Sequence, residues 1–203
     1  IAALSVLLLI PTAFIAALID DRANTQEEAI KEVSAKWGET QTIAGPLLSV
    51  PYKKYITNKE GSVEEVIVYA HFLPDELNIN GEVFPSELTR DIYEVVVYNT
   101  ELKIDGKFSR PDFSDWDIAA GNIVWADAFV TLGIPDMKGV SESIALKWNG
   151  ADYQFNPGVK SGDVVASGVS IKVPVSGANN SFSLELNLNG SRELNFAPLG
   201  RET

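Results

Sequence analysis

The chain of 203 residues has no cysteine and only one histidine, His71. The missing thiols exclude disulfides, thiolate zinc sites and cysteine nucleophiles, and a lone imidazole excludes any metal site that needs two. Basic residues are scarce too, 16 Lys and Arg against 28 Asp and Glu, giving a net charge of −12. Such a chain repels phosphate backbones and anionic headgroups, so nucleic acid is not expected as a partner. Catalytic signatures are lacking as well, with no G-x-S-x-G elbow, no G-x-G-x-x-G and no P-loop. Lys160-Ser161-Gly162 is faintly like the K-T-G box of penicillin-binding proteins. No serine here is followed three residues later by lysine, so the S-x-x-K nucleophile which that box accompanies is absent. The expectation is a protein that is not an enzyme, with no catalytic, cofactor-binding or metal-binding residues to assign.

What the chain does contain is enough apolar material for a core, 45% hydrophobic residues at a mean hydropathy of +0.03. The charges are unevenly placed, because residues 1–19 carry none. As a helix this run is about 28 Å long at 1.5 Å per residue, close to the roughly 30 Å hydrocarbon core of a bilayer. Pro11 would damage a soluble helix but is tolerated in a membrane helix. A cleaved signal peptide is the competing reading, yet no A-x-A cleavage pattern lies between Pro11 and Asp21. Residues 1–19 are therefore expected to anchor the chain in a lipid bilayer. Between Asp20 and Val50 only Arg22, Lys31 and Lys36 are basic, against six acidic residues, so nothing there marks a cytoplasmic flank. The body of the protein is expected outside the cytoplasm.

Residues 20–38 continue the helical pattern in Ala, Gln, Glu and Lys, and Gly38 is the expected stop. The apolar stripe Ala23, Ile30, Val33 and Trp37 is too thin for a coiled coil and is expected to pack on the domain that follows.

After Gly38 the period changes to two. Phe182, Leu184, Leu186 and Leu188 alternate with polar residues, as do Ile144, Leu146 and Trp148, and Val169, Ile171, Val173 and Val175. Pro174 suggests that this last strand is at a sheet edge. From Ile92 onward Val96, Tyr98, Thr100, Leu102 and Ile104 share one face. Tyr93, Val95 and Val97 make the early part of the other face apolar too, so that half should be covered on both sides. Turns are expected at 58–61, Asn80-Gly81, Asp105-Gly106, Asn149-Gly150, Asn156-Pro157-Gly158 and Asn189-Gly190. The fold class is mainly β, an antiparallel, sandwich-like domain over 39–203. The final run, Arg192 to Leu199, has no closing element after it, and the domain is expected to be truncated at its C-terminal end.

Three features invite a functional reading. Asp112, Asp115 and Asp117 form the densest carboxylate cluster, but the ligand order of an EF-hand is missing and a solvated loop is the expectation. His71 sits among Val68, Tyr69, Ala70 and Phe72 as a hydrogen-bonded strand residue, with no sequence-local partner to make it a base. Trp37, Trp116, Trp125 and Trp148 could stack on sugars but are expected as core or interface anchors.

The segment Gln41-Thr42-Ile43-Ala44-Gly45-Pro46-Leu47-Leu48-Ser49-Val50-Pro51, placed after an anchor and an acidic helix, resembles the CreD family of bacterial inner-membrane, cell-envelope integrity proteins. The resemblance runs on in order through His71-Phe72-Leu73-Pro74, Thr89-Arg90-Asp91-Ile92-Tyr93-Glu94-Val95-Val96-Val97-Tyr98, Gly106-Lys107-Phe108, Asp136-Met137-Lys138-Gly139-Val140 and Pro198-Leu199-Gly200. Asp91 departs from it, standing where Gly is expected before Ile-Tyr. The resemblance implies an inner-membrane protein with a periplasmic β-rich domain and further membrane helices beyond this chain. It also implies a role in envelope integrity and stress responses, including the response to β-lactams, without an assigned catalytic activity. An envelope protein or wall component is the expected kind of partner. A sensing or ligand-binding module that signals through the anchor helix is the alternative.

Overall fold

The computed structural model describes the backbone of residues 2–59 and 61–197 and the side chains from Pro11 onward within that range. One helix, α1 (Ala2–Trp37), runs without interruption through Pro11. The expected anchor at 1–19 therefore falls partly outside the described residues. Among those described, no helix is long and apolar enough to cross a membrane. Pro198-Leu199-Gly200 also lies outside the described residues.

Two sheets follow the helix. The first contains β1 (Gln41–Thr57), β2 (Val63–Phe72), β5 (Phe129–Gly133), β8 (Asn156–Pro157), β9 (Gly168–Lys172) and β11 (Leu194–Ala197). Its order is β11-β1-β5-β9-β8, with β2 paired to the far half of β1. The second is β3-β4-β10-β6-β7, built from β3 (Glu76–Arg90), β4 (Tyr93–Ser109), β10 (Asn179–Ser191), β6 (Ala145–Trp148) and β7 (Ala151–Gln154). Pairing is antiparallel except between β1 and β11, where Gln41–Ala44 run parallel to Leu194–Ala197.

One core joins the sheets. Leu48, Val130, Leu132 and Val169 come from the first, and Leu102, Ile104, Leu146, Trp148, Leu184, Leu186 and Leu188 from the second. Each such side chain contributes about 1.5–3 kcal/mol when fully buried. The period-two reading of β10 and β6 thus corresponds to the inward face of a sandwich.

The structure corrects several expectations. Asn80-Gly81, Asp105-Gly106 and Asn189-Gly190 are not turns but lie inside β3, β4 and β10. Their glycines let strands approach closely, and a Cβ on Gly106 would stand 2.0 Å from the Glu76 carbonyl oxygen. Asn149-Gly150 does turn between β6 and β7, with positive φ at both residues (50° and 85°). The strand carrying Val169 is not an edge strand, because it lies between β5 and β8 and ends at Lys172, before Pro174. On β4, Val97 and Tyr98 are buried on opposite faces as expected, but nearer the start Val95 is buried and Val96 is 58% exposed, so that end of the strand is covered on one side only.

Candidate functional site

The acidic loop after β4 spends one of its carboxylates on its own backbone. Asp112 Oδ1 accepts from the Ser114 amide at 2.9 Å, and this bond holds the Asp112 pKa below its ordinary value. Among the described residues no three His, Asp or Glu side chains converge on a possible metal position. Asp115 and Asp117 stay exposed on either side of Trp116.

Trp116 closes this loop over aromatic neighbours. It stacks on Phe72 at 6.0 Å and meets Phe113 edge-on at 5.8 Å, while Phe113 meets Trp125 at 5.6 Å and the Arg110 guanidinium lies 5.5 Å from the Trp125 ring. Beside this cluster is an open cleft of about 480 Å³ bordered by His71, Phe72, Asp75, Arg110, Asp112 and Trp116. The other tryptophans have different tasks. Trp148 is 1% exposed in the main core, where its Nε1 donates to the Pro174 carbonyl at 2.8 Å. Trp37 belongs to the helix junction.

His71 pairs across the β1–β2 ladder with Ser49, its Nδ1 standing 2.8 Å from Ser49 Oγ. Its Nε2 faces Asp163 Oδ2 at 3.6 Å, too long for a hydrogen bond, and has no other partner among the described residues. Ser161 Oγ donates to the same Asp163 oxygen at 2.8 Å. The sequence reading of a hydrogen-bonded strand histidine therefore fits one ring nitrogen and not the other. A serine, a histidine and an aspartate stand in line, but Ser49 is 1% exposed, so its hydroxyl is closed to a substrate carbonyl. Lys160 lies nearby with Nζ 5.0 Å from the Phe129 ring, and burial, followed by the charge of Lys172, pushes its pKa down. Topology alone brings Ser49 and Asp163 to His71, and no local sequence signal announces them.

The most extensive polar arrangement is where α1 meets the sandwich. Ala29 and Ser34 are buried there, and Ile30, Val33 and Trp37 are partly buried, whereas Ala23, included in the expected stripe, is exposed. The helix ends as expected before Gly38, whose φ of +142° and closeness to Asn189 (a Cβ would stand 2.5 Å from its carbonyl oxygen) suit only glycine. Ser191 Oγ donates to the Gly38 carbonyl at 2.8 Å and bonds Ser34 Oγ at 2.7 Å. Trp37 Nε1 donates to the Tyr98 carbonyl at 3.2 Å, and Tyr98 Oη to that of Glu193 at 2.7 Å. Two arginines clamp the flanks, Arg192 on Glu27 at 2.6 Å and Arg90 on Glu32 at 2.9 Å. Hydrogen bonds from these arginines hold both glutamates below their ordinary pKa.

A sandwich fastened at several points to the end of one N-terminal helix defines a helix-borne β module. Residues 1–203 match the family described as Inner membrane protein CreD, and the chain belongs to that family. It is 27% identical over 203 residues to the Inner membrane protein CreD of Escherichia coli (strain K12), a match covering 97% of this chain and 44% of that protein. The chain thus spans less than half the length of that relative. Membership supports an inner-membrane location.

Proposed function

We propose that this chain is the membrane-proximal part of a non-enzymatic protein that contributes to envelope integrity and to the response to envelope stress. Residues 1–19 anchor it in the inner membrane, and the sandwich stands on the periplasmic side as an interaction module for an envelope protein or wall component. The observation that carries this reading is the junction: paired serines, the Trp37 bond and two Arg–Glu clamps fix the sandwich to α1, so it presents the same faces at a set angle to the helix. A domain used only as a freely tethered binder would not need that fixation.

The experiment is crosslinking in living cells from a photoreactive residue at Val83 on the edge strand β3, where the side chain is 50% exposed. A discrete adduct with one envelope component, absent from a probe at Glu64, is expected. No adduct from Val83 or from other exposed sandwich positions would contradict the interaction role.

The same junction favours one second reading, a periplasmic sensor that reports through α1. A ligand in the cleft beside Trp116 and Arg110 would have to alter the Ser34–Ser191 contact to be felt by the helix. A saturating cleft ligand that leaves the junction unchanged would dismiss it.

A further inference from the structure

The β3–β4 hairpin lies along α1 and points toward its N-terminal end. Tyr98 is bonded to Trp37, Arg90 to Glu32, and Tyr93 Oη donates to the Arg22 carbonyl at 3.4 Å. On β4 the helix partner thus moves from Trp37 at Tyr98 back to Arg22 at Tyr93, while Arg90, opposite Tyr93 on β3, reaches Glu32. Arg22 is three residues past Ile19, about 4.5 Å along the helix axis. A headgroup layer is roughly 5–7 Å thick on each side, from a 30 Å hydrocarbon core in a bilayer of about 40–45 Å. With residues 1–19 spanning the core, the Tyr93 hydroxyl falls within that layer, a depth that suits tyrosine's apolar ring and polar tip.

The apex of this hairpin holds one large apolar side chain out in the open among the charged Arg90, Asp91 and Glu94. Ile92 is 80% exposed, the highest value of any large apolar side chain among the described residues. The turn itself is made by Asp91, with φ of 55°, and the ladder closes with Arg90 opposite Tyr93. On α1, Phe14, Ile15, Leu18 and Ile19 are likewise exposed, by 56–73%. The exposed Ile92 and the exposed apolar side chains of α1 are linked through the Tyr93–Arg22 contact between hairpin and helix.

We propose that the β3–β4 turn, with Ile92 at its apex, rests in the headgroup layer of the bilayer beside α1. This rests on the reading of residues 1–19 as the anchor and adds a second point of membrane contact, which would fix the tilt of the sandwich as the helix alone cannot. The apex carries Arg90, Asp91 and Glu94 and no basic cluster, so apolar burial drives the contact and anionic lipid is not needed.

The test uses the whole chain in vesicles of phosphatidylethanolamine with a minority of phosphatidylglycerol. Because the protein has no cysteine, single substitutions Ile92→Cys, Leu18→Cys and Glu64→Cys can each carry an environment-sensitive fluorophore without background. The Ile92 position should show blue-shifted emission and quenching by a headgroup-level nitroxide lipid several-fold stronger than at Glu64, with and without phosphatidylglycerol. Emission at Ile92 equal to that at Glu64, with Leu18 in lipid, overturns the hairpin contact and leaves the anchor standing. An Ile92 label shielded from both nitroxide lipid and aqueous iodide means that protein covers the turn, which overturns the proposal equally. A Leu18 label exposed to iodide defeats the anchor reading, and the hairpin contact with it.

Discussion

Ser34 and Ser191 are 157 positions apart, yet their hydroxyls meet at 2.7 Å in a buried contact between α1 and the end of β10. Ser191 is completely buried and also serves the Gly38 carbonyl. Replacing it with alanine leaves the Ser34 hydroxyl without this partner and removes the side-chain donor to the Gly38 carbonyl, at two buried positions. Ser191→Ala should therefore cost about 1–3 kcal/mol. Urea unfolding in detergent measures this against Ser183→Ala, which should stay within about 0.5 kcal/mol. Limited proteolysis of the variant should add a cut near Gly38.

The Arg–Glu clamps give the junction an acid sensitivity. Glu27 and Glu32 have folded-state pKa values below the ordinary 4.5 because Arg192 and Arg90 hydrogen-bond their charged forms. Groups shifted in this direction support the folded state fully above the ordinary value, and that support disappears as pH falls through the lowered one. Acidification below 4.5 should loosen helix from sandwich, read as a widening label-to-label distance between Lys31→Cys and Glu185→Cys. Glu27→Gln with Glu32→Gln should abolish the pH response. The clamps are surface pairs, so high salt should mimic acid weakly.

Asp91 occupies the left-handed region with φ of 55°, a conformation glycine adopts freely and aspartate tolerates. Asp91→Gly should leave stability within about 1 kcal/mol, while the β-branched Asp91→Val should lose roughly 1–2 kcal/mol to left-handed strain. Thermal melts of the two variants give the comparison, and equal losses would show that the turn does not hold this residue left-handed.

The departures from the sequence reading share a physical cause. Leu184, Leu186 and Leu188 were legible because a strand with one wet face writes its burial into a period of two. Asp105-Gly106 was misleading because glycine before a turn and glycine under a neighbouring carbonyl look alike until the partner strand is known. Val96 faces solvent because the hairpin outruns the sandwich there, and α1 covers the opposite face. Asp163 beside His71, and Arg192 on Glu27, join segments that only the folded topology brings together. The helix stop at Gly38 was legible, but the contacts that fix α1 to the sandwich were not, since they depend on long-range register.

Gly106 supplies the sharpest test of strand approach. With a Cβ position 2.0 Å from the Glu76 carbonyl oxygen and 2.9 Å from the Phe182 ring, Gly106→Ala should force β3 away from β4. A loss of about 1–3 kcal/mol, typical of overpacking, is expected in urea unfolding. Gly121→Ala, with nothing within 4 Å of its Cβ position, should be nearly neutral.

Glu64 lies on β2 in the β1–β2 arm, opposite Ile56 and 15 residues along β1 from its start at Gln41, up to about 50 Å at 3.3 Å per residue. A cysteine placed there in the otherwise cysteine-free chain reports which side of the inner membrane holds the sandwich. In intact cells with a permeabilised outer membrane, Glu64→Cys should react with a membrane-impermeant maleimide as fully as it does after lysis. Labelling that appears only once the inner membrane is broken would put the sandwich in the cytoplasm and contradict a periplasmic interaction module.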